Sequence, residues 1–170
     1  MTPSTRVTLE LGGARAGKSR HALALLGGGV YVATAEAGDA EMAERIAAHR
    51  AERGASWTTI EEPLDLATVL RRHAHDSRPL LVDCLTLWLS NLMHRNRDVE
   101  AATAALLAAL DERGGETVLV ANEVGLGIVP GNALARRFRD AQGTLNRRIA
   151  ARADRVMFMA AGLPLVLKGA

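Results

Sequence analysis

Short apolar runs alternate along this chain with longer stretches whose apolar residues recur every three or four positions. Residues 6–11, 30–33, 57–60, 80–83, 117–121 and 156–159 are brief, apolar and partly β-branched, which predicts strands buried in a sheet. Between them, 20–26, 40–53, 64–75, 85–93, 99–113 and 133–153 carry helical spacing. In 40–53 that spacing turns Met42, Ile46 and Ala47 inward and Glu41, Glu44, Arg45 and Arg50 outward; His49 follows Arg45 by one turn on the same face. Pro63 suits the first turn of the helix over 64–75, with Leu66, Val69 and Leu70 as its buried stripe. Asn132 is placed to cap the long helix that ends near Ala153.

The punctuation agrees with these elements. Gly27-Gly28-Gly29, Ser77-Arg78-Pro79 and Gly114-Gly115 end helices. Gly162 and Pro164 turn the chain into Leu165-Val166-Leu167, a short last strand open to antiparallel pairing. No repeat, linker or low-complexity segment interrupts the order. Alternating strands and helices predict one α/β domain over 1–170, a mainly parallel sheet with helices on both faces.

In such sheets ligands gather where strands end at their carboxyl edge, and three unusual stretches fall there. After the first strand comes Gly12-Gly13-Ala14-Arg15-Ala16-Gly17-Lys18-Ser19, matching G-x-x-x-x-G-K-[ST] between a strand and a helix. Glycines let backbone N–H groups turn onto the phosphates of a nucleoside triphosphate, Lys18 adds a point charge, and the Ser19 hydroxyl can ligate Mg²⁺. Lys18 and Lys168 are the only lysines in a chain rich in arginine, so a lysine here is selective usage. Asp83 ends the apolar run Leu80-Leu81-Val82 and can hold the Mg²⁺ directly or through water. The third stretch is 122–131, whose polar residues, spaced glycines and Pro130 describe a shaped site loop.

Composition narrows the setting. With 48% hydrophobic and 24% charged residues the chain is ordinary globular material, and with only 3% aromatics its core must be built from Leu, Val, Ile and Ala. The formal charge is +2 at a pI of 9.2, and no basic stripe interleaved with aromatics accompanies it, so nucleic acid is not an expected partner. Cys84 is the only cysteine, which excludes an intrachain disulfide. No signal segment opens the chain and no apolar run approaches membrane-spanning length, so a cytoplasmic protein is expected.

A phosphate loop alone spans many activities; the wider combination discriminates. Gly12 to His21, Tyr31-Val32-Ala33-Thr34, Met42-Ala43-Glu44-Arg45-Ile46-x-x-His49-Arg50, Trp57, Asn122-Glu123-Val124-Gly125-Leu126-Gly127-Ile128-Val129-Pro130, Phe138-Arg139-Asp140 with Asn146, and Gly162 to Lys168 occur in that order. Together they resemble the bifunctional adenosylcobinamide kinase / adenosylcobinamide-phosphate guanylyltransferase family of cobalamin synthesis, over nearly the whole chain. The resemblance implies a P-loop NTPase domain of RecA-like type. It implies that ATP or GTP phosphorylates the aminopropanol hydroxyl of adenosylcobinamide. GTP then passes GMP through a guanylylated histidine to adenosylcobinamide phosphate, releasing pyrophosphate. It places that histidine at His49, which its neighbours alone leave as one of five histidines on a polar helix face.

Further positions follow from the same resemblance. Nucleotide binding maps to Gly12, Gly13, Ala14, Arg15, Ala16, Gly17, Lys18 and Ser19, to Thr34, Ala35 and Glu36, to Arg50, Ala51, Glu52 and Arg53, and to Glu61 and Asp83. Ser19 and Asp83 hold the Mg²⁺. Some members carry Thr-Ser-Gln at 34–36 and many carry Lys-x-x-Arg-Pro from position 50; this chain departs at both. Glu61 has a plainer reading as a helix N-terminal carboxylate. A homotrimer, with sites near subunit contacts, is also implied. Two other readings stand beside this one: a small-molecule kinase that forms no histidine adduct, and a nucleotide-gated module acting on a partner.

Overall fold

Strand-forming runs and amphipathic stretches condense into seven strands and six helices in the computed structural model, which describes residues 7–51 and 53–169. Arg6, expected to open the first strand, and Glu52, expected to bind nucleotide, lie outside the described residues. The order is β1 (Val7–Gly12), α1 (Lys18–Leu26), β2 (Gly29–Ala33), α2 (Ala40–Ala51), β3 (Trp57–Glu61), α3 (Leu66–Arg72) and β4 (Leu80–Asp83). Then follow α4 (Leu85–His94), α5 (Val99–Glu112), β5 (Thr117–Val120), α6 (Ala133–Arg152), β6 (Arg155–Ala160) and β7 (Leu163–Lys168).

The strands form one sheet in the order β3-β2-β4-β5-β1-β6-β7. Every pairing is parallel except the last, where β7 returns antiparallel on β6 through the Ala161-Gly162 turn. The register sets Ala33 beside Asp83 and Glu10 beside Val120, so the carboxyl ends of β1, β2, β4 and β5 finish on one edge.

Side-chain alternation sorts the core into two layers. Val7, Leu9, Val30, Val32, Leu80, Val82 and Leu119 face α3, α4, α5 and α6, whose Leu66, Leu70, Leu85, Trp88, Leu89, Leu106, Leu110, Leu145 and Ile149 complete the larger core. Tyr31, Leu81, Val118 and Val120 face the opposite side, where Ala22, Leu23 and Leu26 of α1 cover them. Both faces are therefore helical, as expected, but very unequally. Trp88 joins the larger layer to the loop after β3 by donating its indole N–H to the Leu64 carbonyl at 2.7 Å.

Helix boundaries follow caps. Asp65 accepts from the Thr68 N–H at 3.1 Å, which starts α3 at Leu66 and leaves Pro63 in the preceding loop, not in the first helical turn. That helix also ends at Arg72, three residues before the expected His75. Asn132 accepts from the Ala135 N–H at 2.7 Å and caps α6 as anticipated. The largest departure is α2, which buries no residue. Met42 and Ile46 are only half-buried and Ala47 is exposed, because the helix lies outside both core layers.

Candidate active site

Gly12 closes β1, and the chain then turns back through Gly13 to Gly17 before α1 begins at Lys18. The turn uses left-handed backbone twice, at Arg15 (φ 57°) and Gly17 (φ 98°), the alternation that makes successive N–H groups converge on an anion. It is braced from outside. The Gly162 N–H donates to the Ala16 carbonyl at 3.0 Å, and the Glu123 N–H donates to the Gly12 carbonyl at 3.0 Å. A Cβ at Gly13 would meet nothing within 4 Å, so internal packing does not demand glycine there.

Lys18 is buried, and its ammonium donates to the Gly13 carbonyl at 2.6 Å. Burial pushes it below the ordinary lysine range, against the opposing influence of Cys84, Asp83 and Glu10. Asp83, half-buried at the tip of β4, accepts from the Tyr31 hydroxyl at 2.7 Å through Oδ2. The next peptide bond, Asp83–Cys84, is cis. Burial pushes the Cys84 thiol up to about 12, so it stays protonated. Ser19 is half-buried at the start of α1. Ser19 and Asp83 offer oxygen only, a donor set suited to Mg²⁺ completed by phosphate and water. Among the described residues no cluster of three His, Cys, Asp or Glu forms an alternative metal site.

The other expected nucleotide residues are distributed unevenly. Thr34 is fully buried, its hydroxyl donating to the Cys84 carbonyl at 2.7 Å and accepting from the Cys84 N–H at 2.9 Å. Those bonds tie the end of β2 to the end of β4 and leave the Thr34 side chain a structural one. Ala35 is half-buried, and exposed Glu36 pairs at 2.7 Å with Arg95, the residue that follows α4. Exposed Arg50 and Glu61 form an ion pair with each other, so neither is idle. Ala51 is exposed at the end of α2. Arg53 is 6% exposed and lies over the Tyr31 ring, its Cζ 3.8 Å from the centroid.

His49 is exposed on α2, and no hydrogen bond or ion pair among the described residues joins it to the phosphate loop. The 122–131 loop does reach that loop, through Glu123 and Gly12. A ladder from α6 fixes its start: Gln142 donates to Asn146 at 2.8 Å, and Asn146 donates to the Asn122 carbonyl at 3.1 Å. Beyond it Leu126, Ile128 and Val129 stand in solvent, Ile128 at 98% exposure. Two grooves beside α4 and α6 share Met93 and Leu134, and one of them includes Asn132, the residue that follows this loop.

Two groups escaped the sequence reading. Tyr31 entered only as part of a strand and of a family motif, with no role of its own, and its hydroxyl partner is 52 residues away. Glu10, fully buried on β1 with His21 Nδ1 2.7 Å from its Oε1, had a visible signal: a carboxylate inside an apolar strand.

A family model described as "Cobinamide kinase / cobinamide phosphate guanyltransferase" matches residues 8–167. The bifunctional adenosylcobalamin biosynthesis protein CobP of Pseudomonas aeruginosa is 53% identical over 167 residues, covering 95% of this chain and 96% of that one. The bifunctional adenosylcobalamin biosynthesis proteins CobU of Salmonella typhimurium and Escherichia coli are 38% and 36% identical, each over 94% of this chain and 98% of their own. Among solved structures, the P4 protein from bacteriophage phi6 in complex with ADP superposes with a TM-score of 0.51 at 16% identity. It covers 94% of this chain and 52% of the phage protein, a likeness of fold alone.

Proposed function

Since the chain belongs to the cobinamide kinase / cobinamide phosphate guanyltransferase family, we propose that it carries out both reactions, with adenosylcobinamide and its phosphate as acceptors. The observation that carries this reading is the braced phosphate turn with Lys18 at its base and Asp83 on the same sheet edge, inside a family match covering 8–167. In the first reaction the aminopropanol hydroxyl attacks the γ-phosphorus of ATP or GTP, and the bond to the β-phosphate oxygen breaks. In the second, a neutral nitrogen of His49 attacks the α-phosphorus of GTP and pyrophosphate leaves. A phosphate oxygen of adenosylcobinamide phosphate then attacks the same phosphorus; the P–N bond breaks, giving adenosylcobinamide-GDP and free imidazole.

In this scheme the phosphate-loop N–H groups and Lys18 orient the triphosphate. Ser19 and Asp83 would hold Mg²⁺, which when bound would neutralise charge on the phosphates. Arg45 and Arg50, on the same helix as His49, supply charge to the transferred GMP. The 122–131 loop shapes the acceptor side, where its exposed apolar residues suit a corrin ring. Arg53 and the 34–36 loop bound the nucleotide. A homotrimer fits the apolar edge strand β7, whose Leu163, Leu165, Val166 and Leu167 are all exposed. A cytoplasmic location fits a chain in which no helix of the described residues is long and apolar enough to cross a membrane.

GTP labelled at the α-phosphate tests the transferase half. The wild type should acquire acid-labile, alkali-stable label that His49→Ala lacks. An unlabelled wild type that still phosphorylates adenosylcobinamide leaves the plain kinase, a reading that draws on the exposure of His49 away from the phosphate loop.

A further inference from the structure

Most helices here are fixed by buried apolar faces, but α2 has none. What holds it is at its carboxyl end. Arg50 pairs with Glu61 at the tip of β3, and two residues beyond the helix Arg53 lies on the Tyr31 ring. The first contact is between exposed side chains, where an ion pair contributes only ~0–1 kcal/mol. The second is desolvated: Tyr31 is 3% exposed, Arg53 scarcely more, and the Arg53 Nε has no hydrogen-bond partner. The face of the Tyr31 ring lies against that cation, an attraction that strengthens as water leaves. Trp57 meets the same tyrosine edge-on, with ring centroids 6.1 Å apart and an interplanar angle of 90°, so the ring has little room to tilt.

The same tyrosine makes a second contact in the opposite direction. Its hydroxyl donates to Asp83 Oδ2 at 2.7 Å, which orients the carboxylate. One rigid side chain thus touches both the strand-tip carboxylate and the arginine that anchors the His49 helix. We propose that Tyr31 is a positioning residue that couples Asp83 to α2, so that a change at the metal-side carboxylate is felt where the histidine helix is attached. The inference rests on the functional reading above for the roles of Asp83 and His49, but the coupling itself is a property of the Asp83–Tyr31–Arg53 contact. Neither a core aromatic nor a nucleotide-contacting arginine would require it.

Removing the hydroxyl and removing the ring should have different results. Tyr31→Phe keeps the surface under Arg53 and deletes the bond to Asp83; Tyr31→Leu deletes both. The full-length protein is compared by hydrogen–deuterium exchange over 40–51, with a non-hydrolysable GTP analogue at saturation, with and without Mg²⁺. In the wild type, adding Mg²⁺ should change exchange in α2. In Tyr31→Phe that response should disappear, while exchange without Mg²⁺ stays at the wild-type rate. In Tyr31→Leu exchange should already be raised about fivefold or more without Mg²⁺, the signature of a lost anchor. Arg53→Met gives the same reading if the leucine variant does not fold. The Mg²⁺ concentration giving half-maximal α-label should rise about tenfold in Tyr31→Phe, the factor typical of one hydrogen bond to a carboxylate. A wild-type response retained in Tyr31→Phe, or no response in the wild type, overturns the coupling. An unlabelled wild type whose α2 still answers to Mg²⁺ overturns the guanylyl-transfer reading and leaves the coupling standing.

Discussion

The Lys18 ammonium donates to the Gly13 carbonyl at 2.6 Å, so the lysine closes the turn to which it belongs. On the function proposed above, the same reach, five residues back across the loop, delivers its charge to a bound phosphate. Truncation removes the donor at this position, and the other lysine, Lys168, is bonded to the Ala150 and Ala151 carbonyls. Lys18→Ala should lower both phosphoryl transfer and α-labelling by about 100-fold or more, with the far-ultraviolet spectrum unchanged. Wild-type turnover in that variant would remove the phosphate loop from the mechanism.

Gly12 is set against β6 so closely that a Cβ would stand 2.5 Å from the Met159 carbonyl oxygen, on a backbone with φ 152°. Backbone cannot give way as a side-chain tip can. Gly12→Ala should destabilise the protein by about 2 kcal/mol or more, measured by urea unfolding, and should weaken nucleotide binding through the displaced loop.

Glu10 carries a pH dependence. Burial raises its carboxyl above the ordinary 4.5, Asp83 adds to the rise, and His21 and Arg155 oppose it. With the folded value the higher one, the unfolded chain gives up the proton first. Stability is therefore present below 4.5 and declines as pH climbs through the folded value. Glu10→Gln, which retains a partner for His21 without the buried charge, should flatten that part of the stability profile in denaturant titrations between pH 4 and 8. A profile identical to wild type would contradict the assignment.

Arg113, 1% exposed, ties the amino-terminal end of the sheet together. It donates to the carbonyls of His73 and Arg78 and to the Thr117 hydroxyl. Arg113→Met matches its length and leaves the Arg78 carbonyl and the Thr117 hydroxyl without that donor, while the His73 carbonyl keeps the Asp76 N–H, so unfolding free energy should fall by about 3 kcal/mol. Catalytic constants should stay unchanged in the protein that remains folded, because the site lies on the opposite edge of the sheet.

What the linear chain determined was everything governed by local pattern. Alternating apolar runs and helical spacing specify a parallel α/β sheet; the spacing of Gly12, Gly17, Lys18 and Ser19 specifies a phosphate turn; Asp83 and Asn132 announce a strand tip and a cap. Periodicity misled where an amphipathic pattern met no partner, as in α2 with its exposed Ala47, and it carried α3 beyond both of its caps. Other relationships belong to the folded molecule: the buried Glu10–His21 pair, the hydroxyl of Thr34 turned to Cys84, and Tyr31 between Asp83 and Arg53. The first joins β1 to the helix that follows it, and the others join residues from separate strands and loops that the sheet's strand order brings together. A side chain's spacing along the chain reports which face it occupies, whereas its chemistry depends on which distant strand is packed beside that face.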